Sequence, residues 1–181
     1  QAALLEDASG IHVEAIPGGR RIMMGITTAG GAKPLQDQRV RQALNYAIDF
    51  DAISEGLFGS QVERMSYMFN PPFNHPTLES YTYDPDLARA LLAEAGYPDG
   101  FTMSLETSGG GTNGRSVVER VADDLGRVGI QMDIQQKPVM SFLLDFVRGR
   151  IEADSFTLQW GAYPILDSIQ MTNINSCRKS Q

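Results

Sequence analysis

The sequence predicts a mixed α/β domain: a single mixed sheet, built with parallel strand–helix–strand units and covered by helices. Three observations carry that prediction. Phe101–Thr107 and Ile130–Gln136 alternate apolar and polar residues with period two, as half-buried strands do. Between them, residues 115–128 read as a helix stopped by Gly129. A strand–helix–strand order crosses over right-handed and leaves its two strands parallel.

The elements follow in chain order. Residues 11–16 and 21–28 read as two extended segments about the turn Pro17-Gly18-Gly19, with Ala29-Gly30-Gly31-Ala32 as a loose connector. Asp37 then caps a helix whose Val40, Ala43, Leu44, Ala47 and Ile48 recur at helical spacing, with Arg39, Arg41, Gln42 and Asn45 largely on the other side. Residues 51–57 add a short second helix ending near Gly59. Pro71, Pro72 and Pro76 interleave with Tyr67, Phe69, Phe73 and Tyr81, which reads as an ordered loop with its own packing.

The next helix spells out its own boundaries. Asp84 accepts bonds from free helical N–H groups, Pro85 suits the first helical position, and Gly96 takes the left-handed closing conformation. The strand after it sets Met103 and Leu105 against Thr102, Ser104 and Glu106, and a Gly-rich loop, 108–114, leads to the helix at 115–128. Ile130, Met132 and Ile134 then oppose Gln131, Asp133 and Gln135. A helix at 139–148 and a strand at 155–160 repeat the step. Residues 1–181 read as one domain, with 161–181 a tail of little periodicity.

Composition excludes several classes. The formal charge is -7, with 15 basic residues scattered among 22 acidic ones, so neither nucleic acid nor an anionic membrane surface is a favoured partner. Cys177 is the single cysteine, so no intrachain disulfide or thiolate metal cage forms. No run approaches the roughly 18 apolar residues that span a bilayer, so no membrane insertion of this segment is expected.

Catalytic and metal chemistry find no constellation. His12 and His75 are the only histidines and match no metal-ligand spacing, and there is no Gly-x-Ser-x-Gly elbow. Asp123 and Asp124 are adjacent on a helix, point to different faces, and read as surface residues. The expectation is a non-enzyme without cofactor or metal.

One motif keeps an alternative open. GGGTNGRS, from Gly109 to Ser116, sits between a strand and a helix, satisfies GxGxxG, and would be a P-loop if Arg115 were lysine. Free N–H groups and the dipole of such a terminus hold anions, so a nucleotide-binding α/β domain is the rival reading. Against it, the lysine is replaced, no Walker B-like acidic strand follows, and Asp133 alternates as a solvent-facing residue would. Trp160 ends a strand and stands where ligands dock in open α/β sheets, although a core tryptophan fits the same place beside Phe156 and Leu158.

Four blocks in order carry a family resemblance: PLQDQRVRQALNYAID, YDPDLARALLAEAGYPDGF, DDLGRVGIQMDIQ and QWGAYP. Together they resemble the solute-binding proteins of peptide, oligopeptide and nickel ABC importers. The resemblance implies a C-terminal-lobe fragment of a longer, two-lobed periplasmic binding protein, periplasmic or lipid-anchored outside the cytoplasmic membrane. Such a receptor closes by a hinge around a peptide or other small solute and delivers it to a membrane permease.

The resemblance also implies the cleft positions: Trp160, Gly161, Ala162 and Tyr163 in one block, and Ser108, Gly109 and Gly110 in the loop. Three departures stand out. Many relatives carry an aspartate after Trp-Gly-Ala that pairs with a peptide amino terminus; here Tyr163 follows Ala162 and the nearest acid is Asp167. Dipeptide-binding relatives carry an arginine where this chain has Ser108, and a common asparagine is replaced by Thr27. Loss of paired charge anchors points away from a dipeptide and toward a longer peptide, a sugar or another solute.

Overall fold

The computed structural model describes residues 20–27, 31–65, 77–109 and 113–161. Four strands, β1 (Arg20–Ile26), β2 (Phe101–Thr107), β3 (Ile130–Gln136) and β4 (Ser155–Gly161), form one mixed sheet in the spatial order β1-β4-β2-β3. The helices are α1 (Gln38–Ala47), α2 (Phe50–Phe58), α3 (Pro85–Glu94), α4 (Gly114–Gly126) and α5 (Val139–Val147), with a 3-10 turn at Lys33–Gln36. The expected segment at 11–16 lies outside the described residues.

The parallel unit is as the alternation predicts. β2 pairs with β3 from Phe101↔Ile130 to Thr107↔Gln136. The second crossover, β3–α5–β4, returns past β2 and seats β4 on its far side, parallel through Leu105↔Ser155 and Glu106↔Phe156. β1 closes the sheet antiparallel to β4, from Arg20↔Gly161 to Ile26↔Ser155. Because the two crossovers run in opposite directions with one handedness, their helices fall on opposite faces of the sheet.

One face carries the main core. Val40, Ala43, Leu44 and Ala47 of α1, Ala88 and Leu92 of α3, and Leu125 of α4 pack with Met103 and Ile130, and Met24, Ile26 and Met132 join them. On the other face α5 lies over β4, with the rings of Phe146 and Phe156 5.4 Å apart. A Cβ on Gly25, opposite Phe156 in the register, would overlap that ring, so glycine lets the aromatic lie flat against β1.

Burial of both faces corrects two expectations. Glu106, placed on a polar face by alternation, is 2% exposed, because α5 covers that face too. The Lys137 ammonium lies 3.0 Å from Glu106 Oε2 and 3.1 Å from Asp145 Oδ2, and the contacts with Glu106 and then Asp145 raise the lysine pKa. Asp124, read as a surface residue, is fully buried. It accepts the Asp49 N–H at 3.1 Å and meets Arg127 Nη1 at 2.9 Å, joining α4 to the start of α2. Burial is the largest influence on Asp124 and raises its pKa despite these partners.

The predicted caps are in place. Asp84 Oδ1 accepts the Leu87 N–H at 2.9 Å, and Gly96 has φ +92°. Asp49 caps α2, which closes on Gly59 in the left-handed region. Asp37 accepts the Arg39 N–H at 2.8 Å and its guanidinium at 2.6 Å, while the same guanidinium reaches the Glu94 carbonyl at 2.7 Å.

The Arg39 guanidinium holds the Asp37 carboxyl at about 2, below its ordinary 3.8. A folded-state pKa below the unfolded value stabilises above the unfolded pKa and is lost as pH falls through the folded one. Asp37→Asn keeps a good cap but removes the charge. Thermal melts should therefore show wild type losing stability relative to the variant from pH 3.8 down to about 2.

Candidate functional site

β2, β3 and β4 run in one direction, so Thr107, Gln136 and Gly161 end on one edge of the sheet. From that edge the chain leaves β2 toward α4 on one face and leaves β3 toward α5 on the other. Ligands of open α/β sheets dock in the crevice that such opposed departures leave at the carboxyl ends.

Ser108 and Gly109 follow β2 directly at this edge. Gly109 has φ +59°, and a Cβ there would meet Gln136 Nε2 at 2.6 Å, so the side chain of the β3 terminus lies against the loop. The Gly109 N–H donates to Thr107 Oγ1 at 3.0 Å, and Thr157 Oγ1 donates to the same oxygen at 2.6 Å. Gln159 reaches the start of α4, where a Cβ on Gly114 would meet Gln159 Nε2 at 2.8 Å. Asn113, left-handed at φ 62°, donates through Nδ2 to the Leu57 carbonyl at 2.7 Å and anchors the loop to α2.

Two cations near this edge are committed to carboxylates. Arg115 Nε lies 2.7 Å from Glu119 Oε1, one turn along α4, and that bond raises the arginine pKa. Lys137 is held by Glu106 and Asp145. Hydroxyls, amides and backbone N–H groups gather at the edge, where Arg20 and Arg21 also begin β1. The nucleotide reading gains nothing from this: the residue in the P-loop lysine position is turned along its own helix.

Trp160 and Gly161 end β4 at this same edge, paired with Arg21 and Arg20. Gly110, Ala162, Tyr163 and Asp167 lie outside the described residues. Thr27 stands at the opposite edge, donating through Oγ1 to the Ala153 carbonyl at 2.9 Å. Thr107, Gln136, Thr157 and Gln159 were not singled out by sequence reasoning. Their signal is the strand register, which places them at the edge only once β4 is known to lie beside β2.

The family model for bacterial extracellular solute-binding proteins, family 5 Middle, matches residues 1–181. The chain belongs to this family. A family 5 relative, the glutathione-binding protein GsiB of Escherichia coli O1:K1 / APEC, is 34% identical over 137 residues, covering 74% of this chain and 26% of that protein. The chain thus spans about a quarter of the length of that curated relative.

Solved structures agree on the fold. The dipeptide binding protein of Pseudoalteromonas sp. SM9913, in complex with Met-Leu, matches with TM-score 0.75 and 27% identity over 92% of this chain and 33% of that one. The periplasmic binding protein DppA of Helicobacter pylori, in complex with the peptide STSA, matches with TM-score 0.80 and 24% identity over 95% and 33%. At that identity the likeness to DppA concerns the fold. No helix among the described residues is long and apolar enough to cross a membrane.

Proposed function

We propose that this chain is a fragment of the C-terminal lobe of a two-lobed ABC-importer receptor, which captures a peptide-like solute in a cleft and delivers it to a membrane permease. The receptor is non-enzymatic and works outside the cytoplasmic membrane, in the periplasm or on a lipid anchor. One observation supports the reading: in a chain matched to family 5 throughout, Thr107, Gly109, Gln136, Thr157 and Gln159 gather at the carboxyl edge of the sheet.

The chemistry of this edge suits polar, uncharged parts of a solute, such as peptide groups or hydroxyls. Ser108 and Gly109, with Trp160, Gly161 and the following Ala162 and Tyr163, form this lobe's contribution; Gly110 and Asp167 complete the set in sequence. Closure is favoured by ligand only through contacts made in the closed state, so half a cleft binds weakly.

A melting-temperature screen of the full-length receptor tests this. Short peptides and glutathione form one arm, the latter because GsiB is named for it; ATP and NAD form the other. A rise with at least one solute and none with nucleotides is expected, since a ligand of the native state stabilises it by mass action. A rise with ATP or NAD alone would contradict the proposal.

A further inference from the structure

The helix α5 has two unlike sides. Phe142 is buried, Phe146 meets Phe156, and Asp145 holds Lys137. On the outer side Val139, Met140, Leu143, Leu144 and Val147 recur at spacings of one, three and four, so they form one continuous stripe. All five are exposed, Met140 by 68% and Val147 by 81%. A surface helix ordinarily turns charged or polar residues outward, and a contiguous apolar patch marks a site of contact.

The sheet is covered unequally as well. α1, α3 and α4 contribute to the core on one face, whereas the nine-residue α5 is the described helix packed on the other. The relatives supply what is missing in length: this chain covers 26% of GsiB and 33% of the two solved binding proteins. A stripe without charge suits a permanent interface, which resembles a domain core cut in half, better than a transient docking surface with its polar composition.

We propose that the stripe on α5 is the seat of further polypeptide of the same receptor, lying outside residues 1–181 and packed as a second layer on this face of the sheet. The inference rests on the reading of this chain as part of a longer receptor. It assigns α5 to the inside of the complete lobe and excludes it as a permease-docking surface.

Thiol labelling tests it. Met140→Cys and Val147→Cys are made singly in the full-length receptor, with Cys177 and any cysteine outside 1–181 replaced by serine, and maleimide reaction is followed in native and urea-unfolded protein. Both thiols should react about tenfold or more slowly in the native monomer, independent of concentration, because labelling then waits on local opening. The same thiols in the 181-residue chain alone should react near the unfolded rate. Three results would overturn the proposal: fast labelling in the native receptor, slowing confined to a dimer fraction, or equal slowing in the isolated chain, which would put part of residues 1–181 itself on the stripe. The solute-induced melting shift of the same protein is read separately, so a failed receptor reading is told apart from a bare helix face.

Discussion

Replacing Gly100 by alanine is expected to remove a large share of this domain's stability. Gly100 adopts φ +76°, and a Cβ there would overlap the carbonyl carbon and oxygen of Gly129. The two glycines begin the amino ends of β2 and β3, one residue before the Phe101↔Ile130 pair that sets the register. The left-handed conformation alone costs a side chain about 1–2 kcal/mol. The overlap is with backbone, which cannot rotate aside, and overpacking of this kind adds about 1–3 kcal/mol.

A loss of about 2–5 kcal/mol is serious where a whole domain holds on the order of 5–15 kcal/mol. Gly96→Ala supplies the control. Its φ is +92°, yet nothing lies within 4 Å of the added Cβ, so only the conformational cost remains. Urea unfolding should rank Gly100→Ala well below Gly96→Ala. Equal losses would show that the two strand entrances are not in close contact.

Asp154→Ala should be the second large effect. Its Oδ1 accepts the Ala32 N–H at 2.6 Å, and its Oδ2 accepts the Ser104 N–H and hydroxyl, each at 2.8 Å. The Asp154 carbonyl takes the Thr27 N–H at 2.9 Å. One partly buried carboxylate thus joins the connector before α1 to the middle of β2, while the backbone carbonyl of the same residue holds the end of β1. Hydrogen bonds to a charged group contribute about 1.5–3 kcal/mol each, and partial exposure puts the alanine loss near the lower end for two stranded backbone donors, about 2–4 kcal/mol.

The same site predicts a pH dependence. Burial raises the Asp154 pKa, but the bonds from Ser104 and Ala32 outweigh it and leave the carboxyl below its ordinary 3.8. With the folded-state pKa depressed, the contribution is complete above 3.8 and fades as pH falls through the lower folded value. Asp154→Asn keeps one acceptor oxygen and no charge. Its unfolding free energy should lie below wild type near neutrality and converge on it in acid; a constant gap at all pH values would remove the carboxylate from this account.

Local signals made much of this fold legible. β2 and β3 fall where alternation puts them, and Asp37 and Asp84 cap the helices they were expected to cap, because period and capping are settled by residues a few positions apart. Glu106 and Asp124 were misread for the opposite reason. Their burial depends on α5 crossing to the second face and on α2 meeting α4, contacts that no short window contains. At the edge, the glycine-rich turn drew attention to Ser108 and Gly109 and the family resemblance proposed them for the cleft, whereas Gln136, Thr157 and Gln159 join them there only through the β1-β4-β2-β3 order.

Amide hydrogen exchange of the full-length receptor, with and without a solute that raises its melting temperature, tests the central claim most directly. Bound solute should slow exchange at the carboxyl ends of β2 and β4, at 107–109 and 157–161, and leave the amino ends of the same strands unchanged. Protection confined to the amino-end edge around Thr27 and Asp154, or to neither edge, would contradict the assignment of this crevice as the lobe's solute-facing surface.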